Sequence, residues 1–430
     1  MELAILMITL AVLLAIGVPV AFALLGASIA CFLALDIPLV VVFQRMAAGV
    51  STFSLMAIPF FVFAGDLMYR AGIAGRLVQI AEAAFGRSRG GLGLVTVGAS
   101  TLFGSVSGSA IASASAIGAT LMPPMKEKGY GADYAVNVTA TAAIVGLLIP
   151  PSHNMIIYSA ASGIGVPIGD LFLAGVVPGI VTAFLLAVAT WLVAVKRGYP
   201  RGVFPGWAPF LRAMLLAIPG LFAAVIIMGG ILSGMFTATE SSAIAVIYTI
   251  IVGTLAYRSL GWTRFREAAA QSVRITSMVL MIIGAATAFG YALAILEAPT
   301  QLAGLITSIT DNPILVLLII NVILLLLGTF MDMSPLIIIM TPILLPVVQK
   351  IGVDPVHFGI IMMLNLGIGL VTPPVGSVLF VASAIGKTRM EDALRSIWPF
   401  YGALIVALIL ITYFPALSLT LPQWMKGAAG

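Results

Sequence analysis

Charge is scarce in this sequence: 8% of its 430 residues are Asp, Glu, Lys or Arg, against 61% hydrophobic. A soluble domain of that make-up, with a mean hydropathy of +1.20, would expose large apolar patches and aggregate. Cysteine is scarcer still. The single Cys31 excludes an internal disulfide and any multi-cysteine metal site. The two histidines, His153 and His357, lie far apart and outside any H-E-x-x-H pattern, which gives a catalytic metal little support. No Walker A motif is present, so the chain does not hydrolyse ATP itself. "GSVSG" is not a nucleophile elbow, because Val106 holds the central place. The N-terminus "MELAILMITL" carries Glu2 where a signal peptide has basic residues, so the run from Leu3 onward is expected to stay as a span.

Long apolar runs fill the chain, including 177–195, 214–232 and 314–327. Runs of about 20 apolar residues match a hydrocarbon core of roughly 30 Å, which makes this an all-α polytopic membrane protein. The runs are too continuous for the alternating strands of a barrel. The net charge of +5 points to no nucleic acid, since Lys and Arg sit at the ends of apolar segments as orientation signals. The polar interruptions are short, and residues 1–430 read as one membrane domain. A "GVP" break at Gly17 to Pro19 leaves 3–35 as either one kinked span or two short ones.

Glycines and prolines carry a repeat. Pro150-Pro151 falls on Pro373-Pro374 at an offset of 223 residues, and Gly129, Gly146, Gly163 and Pro123 fall on Gly352, Gly369, Gly386 and Pro346. The repeats cover about 60–175 and 285–400, with 176–284 as connecting scaffold helices. Arg87, Arg89, Lys126 and Lys128 flank 92–125, so both of its ends face the cytoplasm, as a re-entrant hairpin requires. The equivalent hairpin, about 313–349, is flanked by Asp311, Asp354 and Lys350 and opens to the outside. Five crossings lie between them, an odd number that inverts the second repeat.

The chemistry gathers where the hairpin tips meet the proline breaks. "FGSVSGSAIASASAIG" (103–118) places five serines and three glycines together. Each Pro-Pro pair removes backbone donors and frees carbonyls near Gly146 and Gly369. Such irregular backbone is tolerated at membrane depth where it lines a cavity, and there it can hold a cation. Ser105, Gly108, Gly146 and Pro150 form one candidate Na⁺ site; Gly328, Thr329, Asp332, Gly369 and Thr372 form the other. Asp332, a carboxylate inside an apolar run, is a functional candidate by position; the alternative is an Asp at the outer interface. Ser107, Ser109, Thr141, Ser152, Asn154 and Asn365 are candidates for hydrogen-bonding a substrate; the competing role is a helix–helix tie for Thr141, Asn154 and Asn365 and small-residue packing for the Gly/Ser cluster. Glu240 in "TATESS" reads as a helix cap.

"GDLMYRAGIAGRLVQIAEAAFGRSRGGLG", "SGSAIASASAIGATLMPPMKEKGY", "IPPSHNMIIYSAASG" and "GVDPVHFGIIMMLNLGIGLVTPPVG" resemble the large membrane subunit of TRAP (tripartite ATP-independent periplasmic) transporters over nearly the whole chain. The resemblance implies an elevator-type ion-transporter fold in the bacterial inner membrane. It also implies Na⁺ as coupling ion, with no organic cofactor, and a small organic anion, mostly a carboxylate, as cargo. The implied partners are a soluble periplasmic substrate-binding protein and a small four-helix membrane subunit, here expected as a separate chain. The family's sodium sites, at hairpin tips and facing helix breaks, match the residues above. Related sequences often carry Asp where Ser113 stands, so an ionic role there does not carry over. Two other readings stand beside this one: a stand-alone ion-coupled symporter or antiporter, and an intramembrane hydrolase centred on Ser107 and His153.

Overall fold

The computed structural model describes residues 2–429 apart from 203–205, 299, 302–303 and 305–311, so Asp311 and most of the loop preceding the second hairpin lie outside the described residues. The N-terminal run resolves into two helices, Glu2–Ala15 and Val20–Ala34. Gly17 turns the chain with a φ of +84°. The second helix then folds back on the first, so that a Cβ on Gly26 would lie 2.8 Å from Leu13 Cδ1. Val40–Val50 follows, then Ala57–Arg70 and Ile73–Phe85, which meet at 68°. Gly72 makes that corner with a φ of +75°, and Arg76 donates to its carbonyl (2.8 Å).

Hairpin 1 is the antiparallel pair Gly91–Ser107 and Ala110–Glu127. Broken helix 1 consists of Ala132–Leu148 and His153–Ala161, bent by 51° around Pro150-Pro151. Four long apolar helices then cross in sequence: Ile168–Lys196, Trp207–Leu232, Ala238–Ala256 and Trp262–Ile295. Hairpin 2, Pro313–Gly328 and Met333–Lys350, leads into broken helix 2, Pro355–Gly369 and Ser377–Gly386. Trp398–Tyr413 and Ala416–Lys426 close the chain, with a 51° bend between them. Side-chain capping marks some of the starts. Asp354 accepts from Val356 N (2.7 Å) ahead of Pro355 at the first helical position, and Thr237 with Glu240 forms a reciprocal capping box. Just past the end of Ile168–Lys196, the Arg197 guanidinium donates to both oxygens of the Asp133 carboxylate, which raises the Arg197 pKa.

The repeat is visible helix by helix. Ala110–Glu127 and Met333–Lys350 correspond end to end at the 223-residue offset, and Ala132 and Pro355 start equivalent helices. Gly129 and Gly352, the turns before those helices, have φ of +80° and +81°. The first arms need an offset of 224, because Gly104 and Gly328 make the same contact and the stretch from Gly328 to the cap Asp332 is one residue shorter than that from Gly104 to the cap Ser109.

The broken helices also pack as a two-fold pair would. Gly367 abuts Ile144, its own equivalent at the 223-residue offset; a Cβ there would lie 2.8 Å from Ile144 Cγ2. At one end Gly359, near the start of broken helix 2, faces the Tyr158 ring near the end of broken helix 1. At the other, Gly386 at the end of broken helix 2 faces Val136 near the start of broken helix 1. The two helices therefore lie antiparallel about a local axis between Ile144 and Gly367. Two membrane-crossing repeats related in that way are inverted.

Gly104 decides how near hairpin 1 comes to broken helix 1, since a Cβ on it would lie 2.2 Å from Gly146 Cα. Overpacking against backbone is expected to cost about 1–3 kcal/mol. Gly104→Ala should therefore lower the thermal unfolding midpoint in detergent. Gly229→Ala, at a helical position with open space around it, should leave that midpoint unchanged or raise it slightly.

Candidate functional site

At the tip of hairpin 1, Gly104 runs against Gly146 of broken helix 1. Gly108 takes a φ of +59°, and its N–H bonds to Gly104 O (2.9 Å), which ends the first arm. A Cβ on Gly108 would come within 2.5 Å of Pro151 O and 3.1 Å of Ser152 Cα, so the tip lies directly on the break. Ser109 turns extended and caps the second arm through Ala112 N (3.3 Å). From the other side Gly65 presses on Ser107 O, where a Cβ would lie 3.3 Å away. The structure thus brings Ser107, Gly108 and Ser109 of the tip together with Ser152 of the break, and the contact between Gly104 and Gly146 lies beside them. No hydrogen bond joins Ser107 to His153 among the described residues.

The second tip is built the same way. Gly369 sits on Gly328, where a Cβ would lie 2.6 Å from the Gly328 carbonyl. Val375 N donates to Thr329 O (3.1 Å), tying the tip to the break. Asp332 occupies the position equivalent to Ser109 and caps Met333–Lys350 through Met333 N (2.8 Å). It is exposed, and its carboxylate makes no ion pair among the described residues.

Hydroxyl orientation separates two kinds of group. Ser105 donates to Leu102 O (2.7 Å), Thr329 to Leu326 O (2.8 Å) and Thr372 to Ile368 O (2.7 Å). With its proton turned to backbone, each oxygen presents lone pairs, the arrangement a hard cation needs. Ser152 is fully buried with no partner for its hydroxyl among the described residues, and Asn154 accepts from Ser334 Oγ (3.1 Å) while its amide nitrogen stays uncommitted there. Those are donors at the start of His153–Ala161, and Ser377, with a buried unpartnered hydroxyl, is the counterpart of Asn154 in the second repeat.

Two candidates have their donors engaged elsewhere. Thr141 donates to Asn137 O (2.7 Å) within its own helix. Asn365 donates to Asn321 Oδ1 (2.7 Å) and Asn321 O (3.0 Å), and Asn321 donates to Thr412 Oγ1 (3.1 Å), a buried ladder from broken helix 2 through hairpin 2 to Trp398–Tyr413. Pro150 stands in the bend of the break itself.

The structure also adds residues that the sequence did not single out. Gly175 lies on the Leu148 carbonyl, where a Cβ would come within 2.1 Å of the oxygen. Tyr401 donates to Val371 O (2.6 Å), the equivalent carbonyl of the second break. Both breaks are thus closed from behind, by bare backbone in one repeat and by a phenol in the other. Gly175 and Gly179 in "AGVVPG" offered a weak signal as small residues four apart; Tyr401 and Ser334 offered none.

In each half, the C-terminal ends of a hairpin arm and a half-helix meet the N-terminal ends of the next two. Partial negative and partial positive charge therefore converge side by side. Tips 104–109 and 328–332 and breaks 146–154 and 369–377 contain no Lys or Arg, and Asp332 is the formal charge among them. No group of three or more His, Cys, Asp or Glu suits a transition-metal site among the described residues.

The model of the DctM component of tripartite ATP-independent periplasmic transporters matches residues 7–417. The chain is 44% identical to the protein YgiK of Salmonella typhimurium, over 96% of this chain and 95% of that one. It is 38% identical to the sialic acid TRAP transporter large permease protein SiaM of Vibrio cholerae, covering 96% of each. Among solved structures it is similar to the YdaH transporter of Alcanivorax borkumensis, with a TM-score of 0.64 at 14% identity over 87% of this chain and 88% of that one. At that identity the likeness concerns the fold alone.

The Asn321–Asn365 contact is a testable tie. In a double-mutant cycle with Asn321→Ala and Asn365→Ala, thermal unfolding in detergent should show a coupling of about 0.6 kcal/mol. Additive effects would mean that the pair does not hold hairpin 2 to broken helix 2.

Proposed function

Because the chain belongs to the DctM component family of tripartite ATP-independent periplasmic transporters, we propose that it imports a small organic acid by a sodium-driven elevator movement. It is a multi-pass large permease subunit of the bacterial inner membrane. In this reading a small membrane subunit packs beside it, and a periplasmic binding protein delivers the cargo. The relative from Vibrio cholerae is named for sialic acid, itself an organic acid, which supports a carboxylate as substrate class.

One observation carries the reading: two tip-on-break junctions, related by a local two-fold axis, each juxtapose cation-ready and anion-ready groups. Sodium takes the C-terminal side. In the first junction, the lone pairs of Ser105 and the backbone around Gly108, Gly146 and Pro150 serve it. In the second, Gly328, Thr329, Gly369 and Thr372 do so, with Asp332 supplying the formal charge. The carboxylate takes the N-terminal side, at Ser152, Asn154 and the first turn of His153–Ala161, with Ser107 and Ser109 from the tip opposite. Bound sodium offsets the missing Lys and Arg, so anion and cation stabilise each other in one pocket. That mutual need is the coupling.

Hairpins and broken helices, about 60–175 and 285–400, move as one body in this scheme. The connecting helices of 176–284 stay with the N-terminal helices as scaffold. Inverted packing gives the moving body two similar end positions, one facing each side.

Proteoliposomes with the reconstituted subunits and cognate binding protein should accumulate an organic acid only under an inward Na⁺ gradient. Uptake that persists without both Na⁺ and binding protein would falsify the proposal. Asp332→Ala should abolish Na⁺-driven uptake while the protein stays folded; wild-type Na⁺ dependence would place the second cation elsewhere. Ser152→Ala should raise the KM for substrate about tenfold or more, by loss of a hydrogen bond to a charged group.

A further inference from the structure

The two junctions account for the tips and breaks but not for Arg45, which stands on an aromatic ring beside a cavity. A cavity of about 350 Å³ lies between Val40–Val50, Trp262–Ile295, the second arm of hairpin 2 at Ile338 and Pro342, and the end of broken helix 1 at Ile157 and Ala160. It borders the moving elements on one side and the N-terminal helices on the other. Small and hydroxylated residues form much of its wall, Gly49 and Thr287 in direct contact among them.

Contacts along this wall run antiparallel. Val50 packs at Gly284, Gly49 at Thr287, and the Arg45 guanidinium lies over the Tyr291 ring, 3.7 Å from its centroid. Arg45 is therefore one turn beyond Ala48 and Gly49 on the same helical face. It is exposed and makes no ion pair among the described residues. The aromatic face fixes the guanidinium in place without neutralising it, and its N–H edges stay available. Trp262–Ile295 starts beside the basic "YRSLGWTRFRE", so Tyr291 lies at its far, periplasmic end.

We propose that Arg45 is an anion-capture site at the outer mouth of this cavity, pairing with the carboxylate of the incoming organic acid before it reaches hairpin 2. The assignment rests on the transport reading for its ligand and its orientation. The physical need is plain. The junctions hold no Lys or Arg and one carboxylate, Asp332, so an approaching anion gains nothing from formal charge there until sodium is bound. A fixed cation at the entrance raises the local anion concentration at every stage of the cycle.

The test reads local charge without requiring transport. Cys31 is buried and is the chain's one cysteine, so Thr52→Cys in the cavity wall introduces a single accessible thiol. Its labelling rates with an anionic and a cationic methanethiosulfonate are compared at low salt. The ratio of anionic to cationic rate should fall about fivefold or more in Arg45→Gln and recover in Arg45→Lys. In parallel, the KM for organic-acid uptake by otherwise native subunits should rise in Arg45→Gln. A labelling ratio that Gln leaves within about twofold of the starting value, or that Lys fails to restore, overturns the assignment. If reconstituted wild-type subunits move no organic acid, the transport reading fails, and the labelling ratio still decides whether Arg45 attracts anions at this mouth.

Discussion

Bare backbone pressed on bare backbone, Gly104 on Gly146 and Gly328 on Gly369, is the constraint on which the rest of this molecule depends. A helix break inside a membrane exposes carbonyls and amides that lipid cannot satisfy. It survives only if protein covers it closely, and side chains at the crossing point would hold the covering element too far away. Glycine removes that obstacle in both repeats. The hairpin tip can then lie on the break, as Gly108 does against Pro151 and Ser152. Behind each break a second element completes the cover, Gly175 on the Leu148 carbonyl and Tyr401 on Val371.

Close approach has an electrostatic consequence. Four helix ends converge at each junction, two presenting carbonyls and two presenting amides, with no Lys or Arg nearby to dominate. Partial charges of this kind fade within a turn, so they matter only at contact distance. The glycines that allow the packing are also what make the helix ends chemically useful. Orienting Ser105, Thr329 and Thr372 costs little, because each donates its proton to a carbonyl of its own helix.

Much of this arrangement was legible in the sequence because its causes are local. Pro150-Pro151 and Pro373-Pro374 recur at one offset together with the glycines around them, so these two breaks could be located and aligned, although a proline alone does not break a helix here: Pro178 and Pro219 lie inside unbroken ones. A Ser/Gly cluster cannot sit quietly against lipid, which marked 103–118 as a tip. Glu240 three residues after Thr237 announced its capping box. The illegible parts are contacts between distant positions. Whether Asn365 faces a pocket or Asn321 depends on the rotation of two helices, which no nearby residue records. Ser334 on Asn154 and Tyr401 on Val371 have the same character. The break at Gly17 was visible, but only the contact between Gly26 and Leu13 shows that the chain folds back there.

The departures from two-fold symmetry point to unequal roles for the two junctions. Ser109 and Asp332 cap equivalent helices, yet one is neutral and the other carries a charge. Counted from the contact glycine to the cap, Gly328 to Asp332 is one residue shorter than Gly104 to Ser109, and the second tip is bonded to its break through Val375 N and Thr329 O. The first tip is held instead from both sides, between broken helix 1 and Gly65. A carboxylate beside a cation strengthens its binding through formal charge, whereas the first junction has only dipoles and lone pairs to offer. Asn154, on the first break, accepts from Ser334 in the first turn after the second tip, so the halves share a polar contact. Identical junctions would respond identically to an ion. In the proposed sodium-coupled scheme, unequal ones joined by that contact let occupancy of the second bear on the anion-ready groups of the first.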